Sequence, residues 1–376
     1  MMVEYGEYYE KISDEEIVKR IKDLGEKIYN EFENENPSIE FAVRGNIKNI
    51  QYDEKKDLIL LKEKIGKREF LNLGHVRKFA QTILVANLAK RLVETGKTAS
   101  LREVFYQLKH TINILNVETF EDQSESDAVI EDLERTIRAI REQFHIKAEG
   151  RGAIYGDIVL RDKKRGDEWN CSRLGRGGWS VPSTIEDIEI VEVNADFVLH
   201  VEKEALFDRL IEERFPEKYR AILVHGKGQP PRGVRRLIHR LRYEKKLPVY
   251  IFTDADPWGF YIYSVIKRGS MKLSQFSPLL ATPDAKFIGL TVDDIEEYDL
   301  LKTKAVIKLN QKDIKRLNEL TNYPWFKKSR EWQKQFKKML DLGVKAEQDA
   351  LARHSLEFVA EKYLPEKLQH SEKMLN

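Results

Sequence analysis

The chain has 376 residues, of which 41% are hydrophobic and 34% charged, with a formal net charge of +2. That length exceeds one ordinary core and predicts two or three domains, while the apolar share excludes a disordered chain. So small a net charge excludes a uniformly basic protein and requires any nucleic-acid surface to be a local cluster.

The first residues, MMVEYGEYYEKISDEE, are acidic and lack an apolar stretch, so no signal peptide is read there. No run approaches the ~20 apolar residues of a membrane span. Cys171 is the one cysteine, which leaves no internal disulfide and points to a reducing, cytoplasmic setting with a packed or surface thiol. Ser13-Asp14-Glu15-Glu16 is a capping box ahead of Ile17, Ile21, Leu24 and Ile28. It predicts an amphipathic helix ending at the polar run Asn34-Glu35-Asn36-Pro37. Two strands are expected, Asn46–Tyr52 and Leu58–Leu61, joined by a polar turn. Residues 1–73 thus read as an N-terminal extension of helix plus hairpin, suited to packing between subunits.

From Gly74 to His145 the periodicity is helical. Val76, Phe79, Ile83, Ala86 and Lys90 line one helix. Ser100-Leu101-Arg102-Glu103 opens a second, read over 100–116, with Leu101, Val104, Phe105, Leu108, Ile112 and Leu115 as its apolar stripe. An acidic linker from Glu118 to Asp127 leads to a third, striped by Val129, Leu133, Ile137, Ile140 and Phe144. Three helices followed by a Gly-flanked β segment suit a winged-helix or helix-turn-helix module over 74–150. Tyr106 lies off the stripe, on a polar face with Arg102 and His110 four residues to either side and with Lys109 and Asn113 nearby. Adjacent cations favour phenolate, the form in which a tyrosine attacks a phosphodiester. An off-stripe tyrosine is equally an ordinary surface residue.

From about residue 186 strands alternate with helices. Phe197–Val201, Ala221–Val224, Val249–Thr253 and Phe287–Leu290 are the strands. Helices are expected over 204–214 and 233–245. The pattern predicts a doubly wound parallel sheet within 151–376, followed by a helical tail in which Trp332, Phe336, Met339 and Leu342 form a buried stripe. Residues just past the C-terminal ends of parallel strands line the ligand crevice. Glu202 and the pair Asp254-x-Asp256 hold such places, and three hard oxygen donors suit magnesium. The bland alternative is solvated turn residues. The stretch containing Lys227, Arg232, Arg235, Arg236, Arg240 and Arg242 has no acid before Glu244. It reads as a helix that grips a DNA backbone, against the alternative of a solvated face.

Leu101-Arg102-Glu103-Val104-Phe105-Tyr106-Gln107 resembles the tyrosine motif of the topoisomerase VI A-subunit family and its relative, the meiotic double-strand-break transesterase. The second aromatic of that motif is the nucleophile and falls on Tyr106. The first is Phe105 where many relatives carry tyrosine. Arg102 matches a position that assists at the phosphate. Glu202 with Asp254-Ala255-Asp256 is similar to the family's Toprim metal site. His225–Arg236, Asp254–Gly259, Gln123–Asp127 and Leu342–Glu347 also look like family segments, so the resemblance runs from about residue 70 onward. It implies a mixed α/β (α+β) chain in which a winged-helix domain carrying the tyrosine precedes a Toprim domain. It further implies double-stranded DNA as substrate, a 5′-phosphotyrosyl link, magnesium, and two A subunits forming a gate in which Tyr106 of one works beside the metal site of the other. A separate B subunit would bind and hydrolyse ATP in an A2B2 heterotetramer. The absence of a G-x-x-x-x-G-K-[ST] loop agrees with that division. The competing readings are a meiotic-type break enzyme, a Toprim metal-dependent nuclease that does not need Tyr106, and a non-catalytic DNA-binding or assembly protein.

Overall fold

In the computed structural model, which describes residues 12–34, 36–45, 47–112, 117–370 and 373–376, Ser13 accepts the Glu16 N–H at 3.3 Å. That cap, with three acids in the first turn, starts the helix Asp14–Asn34. The readings made on residues 1–11, Glu35, Asn46, Asn113 and Leu115 lie outside the described residues. The chain divides into two units, Met1–Ile50 with Leu61–Glu149, and Gln51–Leu60 with Gly150–Asn376. Among the described residues no helix is long and apolar enough to cross a membrane.

In the first unit Ile17 and Ile21 pack with Val85, Leu92, Val104, Phe120, Leu133 and Phe144. Strands Ser38–Ala42 and Ile65–Glu69 pair antiparallel, with Ile39 opposite Arg68. Neither was expected; Ile65-Gly66-Lys67-Arg68-Glu69 carries too little apolar alternation to be read as a strand, whereas Ser38-Ile39-Glu40-Phe41-Ala42 does alternate and its signal was missed. The helices Val76–Glu94, Leu101–Leu108 and Gln123–Ile137 follow. The second is much shorter than the 100–116 expected. Thr119 Oγ donates to the Leu108 carbonyl at 2.6 Å, and the chain leaves the helix to pair Thr111–Ile112 with Val117–Glu118. The expected acidic linker is corrected as well. Asp122 accepts the Glu125 N–H at 3.2 Å, so half of that stretch is the cap and first turn of the third helix. That helix stops at Arg138, whose φ of 55° is left-handed, and Ile140 and Phe144 are buried beyond it on a separate turn.

In the second unit a six-stranded sheet runs in the order Trp179–Ser180, Ala153–Tyr155, Ala221–His225, Phe197–Val201, Val249–Phe252, Lys286–Gly289. The last four are parallel and the first two antiparallel, so the expected parallel sheet carries a mixed edge. Every residue of Phe197–Val201 and Ala221–His225 is buried, as strands covered on both faces must be. A second sheet of Glu168–Asn170, Ile158–Asp162 and Ile188–Val193 fills the region before it. Cys171 is buried there, and burial pushes its thiol up to about 12, away from reactivity. In the tail, Trp332, Phe336 and Met339 are buried on the helix Arg330–Leu342.

The hairpin Ile50–Asp53/Leu58–Leu61 belongs, over Gln51–Leu60, to the second unit. Its Asp57 accepts from Tyr52 Oη and Arg268 Nε, both at 2.6 Å, and lies 3.6 Å from Lys267 Nζ. Lys267 and Arg268 are 4% and 5% exposed, so this carboxylate answers two cations that have left water. Leu58 and Leu60 pack on Ala281.

Candidate active site

The chain passes from Phe197–Val201 to a strand on one side of it, then to Val249–Phe252 on the other. The strand order therefore reverses between Phe197–Val201 and Val249–Phe252, which is where open α/β sheets hold their ligands. Glu202 and Asp254 emerge at this point. The Glu202 N–H donates to the Phe252 carbonyl at 3.1 Å, and the Asp254 N–H donates to Glu202 Oε2 at 3.0 Å. Asp256 is the N-cap of the helix Pro257–Arg268, its Oδ1 accepting the Gly259 N–H at 2.6 Å. Pro257 suits the first helical position. Gly259 is needed because a Cβ there would stand 2.3 Å from the Asp254 carbonyl oxygen. The sequence Asp254-Ala255-Asp256-Pro257-Trp258-Gly259 is thus a strand end, a cap and a close approach in six residues.

The tail returns to this place, which the sequence did not reveal. Ala255 and Ala346 bond to each other's backbone, and the Gln348 N–H donates to Asp254 Oδ1 at 2.8 Å. Lys203 Nζ lies 2.6 Å from Asp349, 2.7 Å from Glu347 and 3.5 Å from Asp254. Lys345 stands 3.0 Å from Asp313 and 3.9 Å from Asp256. The available signal was a lysine directly after Glu202 and a second acid-x-acid pair, Glu347-Gln348-Asp349.

Burial, reinforced by the charge of Asp254, raises the Glu202 carboxyl above its ordinary range. Burial likewise raises Asp254 and Asp256. For Lys203 burial opposes the charge, but the bonds to Asp349 and Glu347 outweigh it and its pKa is raised. Crowded acids with raised pKa values favour a bound cation, and all donors are hard oxygens. The residues therefore fit magnesium in kind. Among the described residues no three acids, imidazoles or thiolates already converge as ligands; Asp254 accepts the Gln348 N–H and Asp256 the Gly259 N–H, and each has a lysine nearby, at 3.5 and 3.9 Å.

In the first unit, the Ser100 capping box is complete: Ser100 Oγ accepts the Glu103 N–H at 3.1 Å and Glu103 accepts the Ser100 N–H at 2.6 Å. It fixes the start of the helix that carries Tyr106, a residue 61% exposed. The Arg102 guanidinium lies 5.9 Å from that ring. His110 does not share this face, because the helix has ended; its Nδ1 lies 3.0 Å from the Leu108 carbonyl.

The basic stretch forms the helix Arg232–Tyr243, but most of its charges turn inward. Arg240 is 5% exposed and donates to the Ile185 and Ile188 carbonyls at 2.9 and 2.8 Å and to Glu244 at 2.7 Å. The reading of Arg240 as a DNA contact is corrected: it fastens the helix to its own protein. Arg236 pairs with Glu186, and Arg235 is 4% exposed. Arg232 lies over the Phe276 ring, 4.6 Å from its centre, and only partly buried. Lys227 is exposed and 2.8 Å from Glu204.

Three family models match in succession. Residues 77–146 match Type IIB DNA topoisomerase, residues 149–194 the all-beta domain in DNA topoisomerase VI alpha subunit, and residues 197–368 the Toprim domain of the topoisomerase 6 A subunit and Spo11. The chain is 52% identical over 364 residues to a Pyrococcus abyssi protein named as the A subunit of Type 2 DNA topoisomerase 6, covering 94% of each. Proteins of the same name from Pyrococcus horikoshii, 51% identical with the same coverage, and from Methanothermobacter thermautotrophicus, 39% identical over 94% of this chain and 97% of that one, are also similar.

Proposed function

The chain belongs to the topoisomerase VI A-subunit family, and from that premise we propose that Tyr106 is the nucleophile with which it breaks DNA. Its activity is that of the DNA-cleaving subunit of a type IIB topoisomerase. In the proposed reaction the Tyr106 phenolic oxygen attacks a backbone phosphorus in line. An O–P bond forms to the tyrosine, the bond to the 3′-oxygen breaks, and the phenol loses a proton while the 3′-oxygen gains one. The 5′-phosphotyrosyl link keeps the ester, so attack by the 3′-hydroxyl reseals the strand with no further reactant. Arg102, one turn before Tyr106, offsets charge on the phosphate. Glu202, Asp254 and Asp256 hold magnesium, which when bound supplies Lewis-acid stabilisation of developing oxygen charge. Lys227 and Arg232 remain the candidates for contact with the DNA backbone from the arginine helix, with Arg235 and Arg236 turned inward.

The finer assembly follows the family. The helical unit serves as a winged-helix module, two such chains each cut one strand with Tyr106 of one acting beside the carboxylates of the other, and two B subunits bind ATP. The observation that carries the reading is the crowding of buried acids at the strand-order reversal, in a chain that also holds out a tyrosine on a capped helix. A covalent-trapping assay tests it. The chain is mixed with its B subunit, internally labelled supercoiled DNA, magnesium and a non-hydrolysable ATP analogue, then denatured. Label is expected on the protein, absent in Tyr106→Phe and in Asp254→Ala. Cleavage that survives Tyr106→Phe but needs Asp254 points instead to a hydrolytic nuclease.

A further inference from the structure

We propose that Lys203 stands in for a second divalent cation, so that the carboxylate centre takes one metal ion per chain. This rests on the magnesium reading above and deepens it. In two-metal phosphoryl-transfer centres two cations stand about 3.5–4 Å apart and share the charge of the reacting oxygens. Here Asp254 lies between two partners of different kind. On one side its N–H donates to Glu202 Oε2 at 3.0 Å. On the other its Oδ2 is 3.5 Å from the Lys203 ammonium, which is also 2.6 Å from Asp349 and 2.7 Å from Glu347. An ammonium has three N–H donors, and here it faces three carboxylates.

The lysine is held there from two directions. Its backbone directly follows Glu202 and opens the helix Glu204–Glu212, so its stem starts at the centre. Its two acidic partners sit on the tail segment, which is fixed by the Ala255–Ala346 pairing and by the Gln348 N–H on Asp254 Oδ1. An ion entering on this side has to displace a cation that is covalently attached and already satisfied. On the other side the nearest ammonium is that of Lys345, 3.9 Å from Asp256 and held more closely by Asp313 at 3.0 Å, so an ion entering there displaces a weaker contact. A lysine is a compact point charge and fills a cation's place better than a guanidinium fork.

The test counts ions on the full-length chain with Mn2+ as the spectroscopic probe, by electron paramagnetic resonance of free Mn2+ and by calorimetry. Wild type is expected to bind one ion per chain and Lys203→Met two, while Lys203→Arg stays at one. Thermal melts establish that the variants are folded, and the wild-type count alone decides if they are not. Two ions in wild type, or one in a folded Lys203→Met, overturns the assignment of Lys203 and leaves the magnesium reading standing. No ion in wild type, or an ion whose binding survives Asp254→Asn, overturns the magnesium reading and this inference with it.

Discussion

Replacing Gly259 with alanine separates the position of Asp254 from its chemistry. The added methyl would sit 2.3 Å from the Asp254 carbonyl oxygen, whereas ordinary contact begins near 3.4 Å. The obstacle is backbone, so about 1 Å of movement must come from the Asp254 strand end or the start of the helix Pro257–Arg268. Either movement shifts Asp254 away from Glu202 or withdraws the helix that Asp256 caps. A misplacement of ~1 Å at a reacting centre costs on the order of 100-fold in rate. The same overpacking costs roughly 1–3 kcal/mol in stability, so the protein stays folded. Covalent trapping by the complex is therefore expected to fall about 100-fold, with Mn2+ affinity falling alongside. Gly178→Ala is the matched control, because its Cβ would meet the Ile154 carbonyl at 2.6 Å at a φ of 65°, on the far edge of the sheet. It is expected to melt earlier and still cleave. Native cleavage and native ion affinity in Gly259→Ala, or equal loss of cleavage in both variants, refutes the reasoning.

Arg240→Ala leaves the Ile185 and Ile188 carbonyls without their donor, and is expected to cost roughly 2–4 kcal/mol in urea unfolding while DNA affinity of the folded fraction is unchanged; a stable variant with weakened DNA binding would restore Arg240 to the DNA surface. Asp57→Asn removes the carboxylate beside the buried Arg268 and Lys267, leaving Lys267 only the Pro283 and Ala285 carbonyls, and about 3 kcal/mol of destabilisation is expected, read as a lower melting temperature; an unshifted melt disproves the role given to this carboxylate. Burial lowers the pKa of His239 to about 4 against ~6.5 in an unfolded chain. Between those values the unfolded state binds the extra proton, so stability is complete above pH ~6.5 and is lost as pH falls toward 4, by roughly 2–3 kcal/mol. His239→Gln should narrow the gap between urea midpoints at pH 7 and pH 4.5, and an unchanged gap counts against the assignment.

What could be read in the sequence was what local chemistry decides. Ser100 and Glu103 cap a helix by contacts three residues apart, and short apolar runs ending in Glu202 and Asp254 announce strand ends. What could not be read depends on distant partners. The tyrosine helix stops at Leu108 because Thr119 takes its carbonyl, and nothing in Lys109-His110 signals a stop. The arginine run looked unneutralised because Glu186 lies 50 residues before Arg236, and Asp284 lies 42 after Arg242. The same blindness hid Glu347 and Asp349, more than 140 residues from the lysine they hold.

The hairpin around Asp57 has a consequence for anyone dividing this protein. A fragment cut at the apparent boundary, starting at Gly150, leaves Gln51–Leu60 behind. Lys267 and Arg268 then lose the carboxylate of Asp57, and the surface at Ala281 that Leu58 and Leu60 cover is opened to water. Such a fragment should be insoluble or rescued by adding a peptide spanning the hairpin. The module that folds is not a continuous stretch of chain, and a gene fusion that exchanges the second unit has to carry the ten residues Gln51–Leu60 with it.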